Sequence, residues 1–320
     1  MRITKGAIAL ALVAAFAAAC TGGASSPSSV ASAAATPVPT AAPTAAPTAA
    51  PTEAPDATPD ACAPANLTVR TAGKLTLGAD NPAYPPYYEP SATNPAPWEL
   101  GDPTNGQGFE GAVAAALAKE MGFAPTDVVW VVAPFSGAIQ PGPKDFDLYL
   151  TQVSYSAERA QAVDLSDGYY DVAQSVVALK GSPIAEATVI NGLKDFQFGA
   201  QAGTTSYQLI QDVIAPTKEA KVYDTNDAAV EALKNGQIDG LVVDLPTAFF
   251  VTAAQVENSV IVGQFAPTGD AEHFSVLLDK DSPLTTCVNA ALGRLKASGA
   301  LSLITQEWLA DKANAPVFEP

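Results

Sequence analysis

From about residue 66 onward, short apolar or β-branched runs alternate with helical stretches, and this alternation restricts the fold more than any other feature of the chain. Runs at 75–79, 128–132, 146–150, 172–179 and 198–200 predict strands. Between them, 109–121 predicts a helix with Val113, Leu117 and Met121 on one face and Gly122 as its stop. A shorter helix is expected at 227–235, with Val230 and Leu233 inward and Gly236 ending it. The run 238–243 is apolar enough to be a central strand covered on both faces. Helices at 284–298 and 301–310 complete the pattern. Strands alternating with helices predict an α/β protein with open, mostly parallel sheets.

In such sheets ligands collect at the carboxyl ends of the strands. Polar and aromatic groups gather at those ends here. Asp80, Asn81 and Tyr84 follow the first strand, Phe135 the second, and Thr151, Gln152 and Ser154 the third. Thr204 and Thr205 follow the 198–200 run and open a helix, whose free N–H groups suit a carboxylate. Asp244 ends the last central strand, and Arg159 closes the segment Ser156-Ala157-Glu158-Arg159. A free amino acid sets a carboxylate beside an ammonium. The planar fork of Arg159 suits the first, and the acceptor-only carboxylate of Asp244 suits the second. Plainer roles stand beside these: Arg159 could pair with Glu158 or Asp164 at a surface, Asp244 could cap the helix after it, and Tyr84 and Phe135 could be core aromatics.

Several short motifs occur in one order: Tyr84-Pro85-Pro86-Tyr87, Gly108-Phe109-Glu110 opening a helix, Ser156-Ala157-Glu158-Arg159 before Val163-Asp164-Leu165-Ser166-Asp167, Gln201-Ala202-Gly203-Thr204-Thr205, and Val243-Asp244. Together they resemble the family 3 solute-binding proteins of polar amino-acid ABC importers, over about residues 74–309. The resemblance implies a two-lobed, type II periplasmic-binding-protein-like fold, each lobe an open, mostly parallel sheet flanked by helices. Lobe one would comprise 66–171 plus 269–313 and lobe two 174–265, with crossovers near 171–173 and 265–268 and a tail at 314–320. It also implies roles. Arg159 would take the ligand carboxylate and Thr205 would add a donor to it. Ser154 and Thr151 would meet the ligand from lobe one, and Asp244 would accept from its ammonium. Tyr84 and Phe135 would wall its stem.

Asn81 stands where relatives that take cationic amino acids carry an aspartate, although Asp80 is adjacent. With Gln152, it leans toward a polar or cationic side chain and against an acidic one. The partners implied are a free amino acid and the permease and ATPase of an importer, with no cofactor, and the protein is expected to be a monomer. The family expectation is a binding protein that catalyses nothing. Two alternatives stay open: a ligand-sensing domain, and a cyclohexadienyl dehydratase-like enzyme on the same fold. The enzyme needs a general acid in the cleft, and no second carboxylate is evident beside Asp244. The stretch 88–107 is longer than the family usually has, and sequence does not say whether it covers the cleft.

The N-terminal region indicates export. Arg2 and Lys5 precede an apolar stretch at 8–19, too short to span a bilayer comfortably, that ends in Ala17-Ala18-Ala19-Cys20. This resembles a lipoprotein signal with Cys20 lipidated, although Ala17 replaces the usual Leu; cleavage at an ordinary A-x-A site is the alternative. The expected location is the outer face of the cytoplasmic membrane, held by lipid. Residues 21–65 are rich in Ala, Pro and Thr and read as a disordered tether, with too few large apolar groups to offset the entropy of ordering. Cys62 and Cys287 are the other two cysteines, expected to pair in an exported chain, with two free thiols as the alternative. A single histidine, His273, argues against a metal site. Sixteen Lys and Arg against thirty-three Asp and Glu leave a net charge of -17, which disfavours nucleic acid.

Overall fold

The structure, a computed structural model, describes residues 61–267, 271–310 and 315–320. Cys20, the signal region and the tether through residue 60 lie outside the described residues, as does Thr268 of the expected second crossing.

Along the chain, β1 (Leu75–Ala79) is followed by α1 (Phe109–Glu120), β2 (Val128–Val132), α2 (Phe135–Ala138), β3 (Leu148–Tyr149), α3 (Arg159–Ala162) and β4 (Asp164–Leu165). A first crossing strand, β5 (Tyr170–Asp171), leads into β6 (Gln174–Leu179), β7 (Phe198–Gln201), α4 (Thr205–Leu209) and β8 (Lys221–Tyr223). Then come α5 (Asn226–Lys234), β9 (Gly240–Asp244), α6 (Leu245–Phe250) and β10 (Ser259–Gln264). The second crossing strand, β11 (His273–Phe274), returns the chain to β12 (Leu277–Leu278), α7 (Thr285–Ala297) and α8 (Ala300–Leu309).

These elements build two lobes, each around its own five-stranded sheet. Lobe one has the order β2-β1-β3-β12-β4 and lobe two the order β10-β6-β9-β7-β8. The expectation of mostly parallel sheets needs correction. β1 pairs in parallel with β2 and β3, and β7 with β8 and β9, as βα turns require. β12 and β6 run antiparallel to both of their neighbours, because each enters its sheet directly from a crossing. The sheets are therefore mixed. The crossings pair with each other, His273 opposite Asp171 and Phe274 opposite Tyr170.

Residues 315–320 are more than a tail. Phe318 donates its N–H to Gln264 O at 3.0 Å, and its ring packs against that of Phe265, tilted at 48°, in the lobe-two core. After α8 the chain has thus changed lobe a third time, beyond the two crossings expected.

Local signals explain the helix ends. Gly122, at φ +87°, lets its own N–H reach Lys119 O and the Phe123 N–H reach Ala118 O, which satisfies the last carbonyls of α1. Thr225 caps α5 by accepting from the Ala228 N–H at 3.2 Å. In lobe one, α1 buries Val113 and Leu117 between β1 and the α7–α8 pair. Cys62 and Cys287 are joined with their Cα atoms 5.5 Å apart, which ties the start of the described chain to α7.

Candidate functional site

The carboxyl ends of β1, β3, β7 and β9 face a cleft between the lobes, with a cavity volume of about 80 Å³. Ten of the eleven residues expected at a ligand site line it: Asp80, Tyr84, Phe135, Thr151, Gln152, Ser154, Arg159, Thr204, Thr205 and Asp244. Asn81 does not. Its side-chain amide donates to Pro97 O at 2.9 Å, and its carbonyl accepts from the Glu99 N–H at 3.2 Å. Asn81 thereby anchors the 88–107 stretch, whose Trp98 is buried in the lobe-one core. No residue of that stretch lines the cleft.

Arg159 opens the short helix α3 and is only 8% exposed. Its guanidinium donates to Ser154 O at 2.5 Å and to Gly203 O, across in lobe two, at 2.6 Å. The charged carbon lies 5.5 Å from the centre of the Phe135 ring, within reach of a cation–π contact. Burial pulls the guanidinium pKa down to about 10, against the opposing fields of Glu272 and Glu158. Arg159 makes no ion pair among the described residues. Five N–H donors serve two carbonyls, so the fork still has donors for an anion.

Asp244 ends β9 and caps α6, so it serves the plainer role as well as lining the cleft. Its Oδ1 accepts from the Thr247 N–H at 2.9 Å and from the Tyr87 hydroxyl of lobe one, and its Oδ2 accepts from Thr247 Oγ1 at 2.7 Å. Burial nonetheless raises its pKa. Asp80 is a second carboxylate in the same cleft, which corrects the expectation that none accompanies Asp244. Burial raises its pKa too, and N–H groups of Asn81 and Phe135 oppose that shift.

Several hydroxyl protons are already committed. Thr151 Oγ1 donates to Leu150 O at 2.6 Å and accepts from the Asp80 N–H. Thr204 Oγ1 donates to Gln201 O and caps α4 by accepting from the Tyr207 N–H. Thr205 Oγ1 lies 2.7 Å from Glu272 Oε1. Gln152, at φ +44°, is held from below by the fully buried Glu110. The Gln152 N–H reaches Glu110 Oε1 at 2.7 Å, its amide reaches Oε2, and the Tyr169 hydroxyl donates to Oε1 at 2.5 Å.

Sequence reasoning missed Gln174, Gln201, Ser206, Asn226, Thr247 and Phe274, all of which line the cleft. Gln174 begins β6 opposite Asp244, at the amino end of an antiparallel strand, where a rule about carboxyl ends does not look. Phe274 arrives on a crossing strand distant in sequence. Thr247 and Asn226 could have been found from the capping pattern at the starts of α6 and α5.

Residues 91–311 match the bacterial extracellular solute-binding proteins, family 3. A probable histidine-binding protein of Campylobacter jejuni is 28% identical over 224 residues, 68% of this chain and 82% of that protein. The ABC transporter arginine-binding protein 1 of Escherichia coli is 27% identical over 245 residues, 74% of this chain and 91% of that one. Among solved structures, an ancestral arginine-binding protein bound to glutamine superposes with a TM-score of 0.58 at 27% identity, covering 74% of this chain and 98% of that chain.

Proposed function

Because the chain belongs to the bacterial extracellular solute-binding proteins of family 3, we propose that it captures a free L-amino acid between its lobes and delivers it to an ABC importer. The observation that carries this reading is Arg159, a buried guanidinium whose side-chain partners among the described residues are two carbonyls. A buried charge without a counter-ion is costly, and a ligand carboxylate supplies one. Asp244, half-buried at the end of β9, offers the complementary acceptor for an ammonium. Asp80 adds a further negative group, which favours a polar or cationic side chain over an acidic one. Ser154, Thr205 and Gln152 complete the polar wall, while Tyr84 and Phe135 enclose the ligand's stem. Closure would follow from the ligand's higher affinity for the closed arrangement. Lipid anchoring at Cys20, a monomeric state and docking on a permease belong to the same proposal.

Thermal shift with each of the twenty L-amino acids tests it, since a ligand that binds only the folded state raises the melting temperature. One or a few amino acids should stabilise the chain. Arg159→Ala should weaken binding by about 2–5 kcal/mol, because it strands a buried carboxylate. No stabilisation by any amino acid would refute the proposal. Two carboxylates that line the cleft, Asp80 and Asp244, both with pKa raised by burial, are the observation behind the enzymatic alternative, and turnover of a cyclohexadienyl acid by the purified chain would establish it.

A further inference from the structure

Glu272 stands at the end of the second crossing, next to β11. Its carbonyl accepts from the Val172 N–H at 2.8 Å, so its backbone belongs to the hinge. Its side chain engages lobe two. Oε1 accepts from Thr205 Oγ1 at 2.7 Å and from Gln174 Nε2 at 3.0 Å. Both of those donors line the ligand cleft, whereas Glu272 lines a separate cavity of about 380 Å³ on the far side of them, with Tyr155 and Ser156. Glu272 is half-buried, and its negative field also reaches Arg159.

A threonine hydroxyl carries one proton. Around Thr205 Oγ1 lie Glu272 Oε1 at 2.7 Å, Gln174 Nε2 at 3.4 Å and Ser154 Oγ at 3.5 Å. The amide nitrogen only donates, and the serine oxygen is a distant neutral acceptor. The near carboxylate therefore takes the proton. Gln174 is locked as well, because its Oε1 accepts from Ser206 Oγ at 2.7 Å while its Nε2 serves Glu272. Toward the cleft, Thr205 Oγ1 thus presents lone pairs, where a ligand carboxylate needs a donor.

We propose that Glu272 is an internal competitor for the carboxylate end of the cleft, holding the Thr205 hydroxyl proton away from the ligand and so lowering the affinity of the site. The inference rests on the amino-acid reading of the cleft. A ligand carboxylate that recruits Thr205 must draw the proton away from Glu272, and among the described residues Gln174 is then the one donor left to that side chain. Glu272 acts through Thr205 and is a positioning residue.

The test is a double-mutant cycle on the full chain, using Glu272→Gln, Thr205→Val and the pair, with Glu272→Ala as a second removal of the charge. Isothermal titration uses whichever of the twenty L-amino acids the unmodified chain binds most tightly. Glu272→Gln should lower Kd about tenfold, the scale of one charge-assisted hydrogen bond. Glu272→Ala should tighten binding in the same direction, and the gain should vanish in the Thr205→Val background. An unchanged or higher Kd in both Glu272 variants overturns the competition. An equal gain with and without the Thr205 hydroxyl overturns it too, since the effect would then be a through-space field on Arg159. If the unmodified chain binds none of the twenty, the reading of the cleft fails and the inference falls with it.

Discussion

Glu110 is a carboxylate at the start of α1 with no solvent exposure and, among the described residues, no ion-pair partner. Two effects compete there. Hydrogen bonds from the Tyr169 hydroxyl and from the backbone and amide of Gln152 favour the ionised form, while burial disfavours it, and Asp244 adds repulsion. Burial wins, raising the pKa from 4.5 to about 7. The sign of the pH dependence follows. Below pH 4.5 the carboxyl is protonated in both the folded and unfolded chain. Between 4.5 and about 7 the unfolded chain gives up its proton while the folded chain keeps it, so folding stability falls as pH rises. The loss is complete above about 7 and amounts to about 3 kcal/mol, at about 1.4 kcal/mol per pH unit of separation. Glu110→Gln holds the group neutral and removes this loss. In urea titrations without amino acid, the stability of Glu110→Gln relative to the unmodified chain should therefore rise by about 3 kcal/mol between pH 4 and pH 8. Titrations common to both chains cancel in that difference. A difference that does not move with pH would refute the reasoning, and would mean that the three hydrogen bonds balance desolvation.

Three further perturbations follow from particular contacts. Replacing Cys62 and Cys287 together by serine opens a loop of 225 residues in sequence separation, and by chain entropy should cost up to about 5 kcal/mol, read as a lowered urea midpoint. Tyr87→Phe removes the lobe-one hydroxyl from the half-buried Asp244 carboxylate and should cost about 2 kcal/mol in the same assay, with little change if that bond contributes nothing. Gly108 has φ +89°, and an added Cβ would lie 2.5 Å from Tyr87 O, so Gly108→Ala should lower the melting temperature through strain of about 1–3 kcal/mol.

What the sequence determined by itself is local. The period of the apolar runs placed β1 and β2 to the residue, and α1 and α5 to within a residue at either end, because hydrophobic spacing and capping groups act over three or four positions. The rule that ligands meet the carboxyl ends of parallel strands brought most of the cleft's residues into view, Asp244 among them, and Arg159 stood out by its planar fork of donors. Tertiary structure decided the rest. β12 and β6 are antiparallel because of where the crossings deliver them, and a two-residue strand such as β12 carries no periodic signal. Gln174 reaches the cleft through its register opposite Asp244, and Glu272 meets Thr205 across 67 positions of chain. Asn81 turns away from the cleft because the 88–107 stretch takes both ends of its amide. Which donor holds which proton depends on distances of a few tenths of an ångström between segments remote in sequence, and that information exists only after the chain has packed.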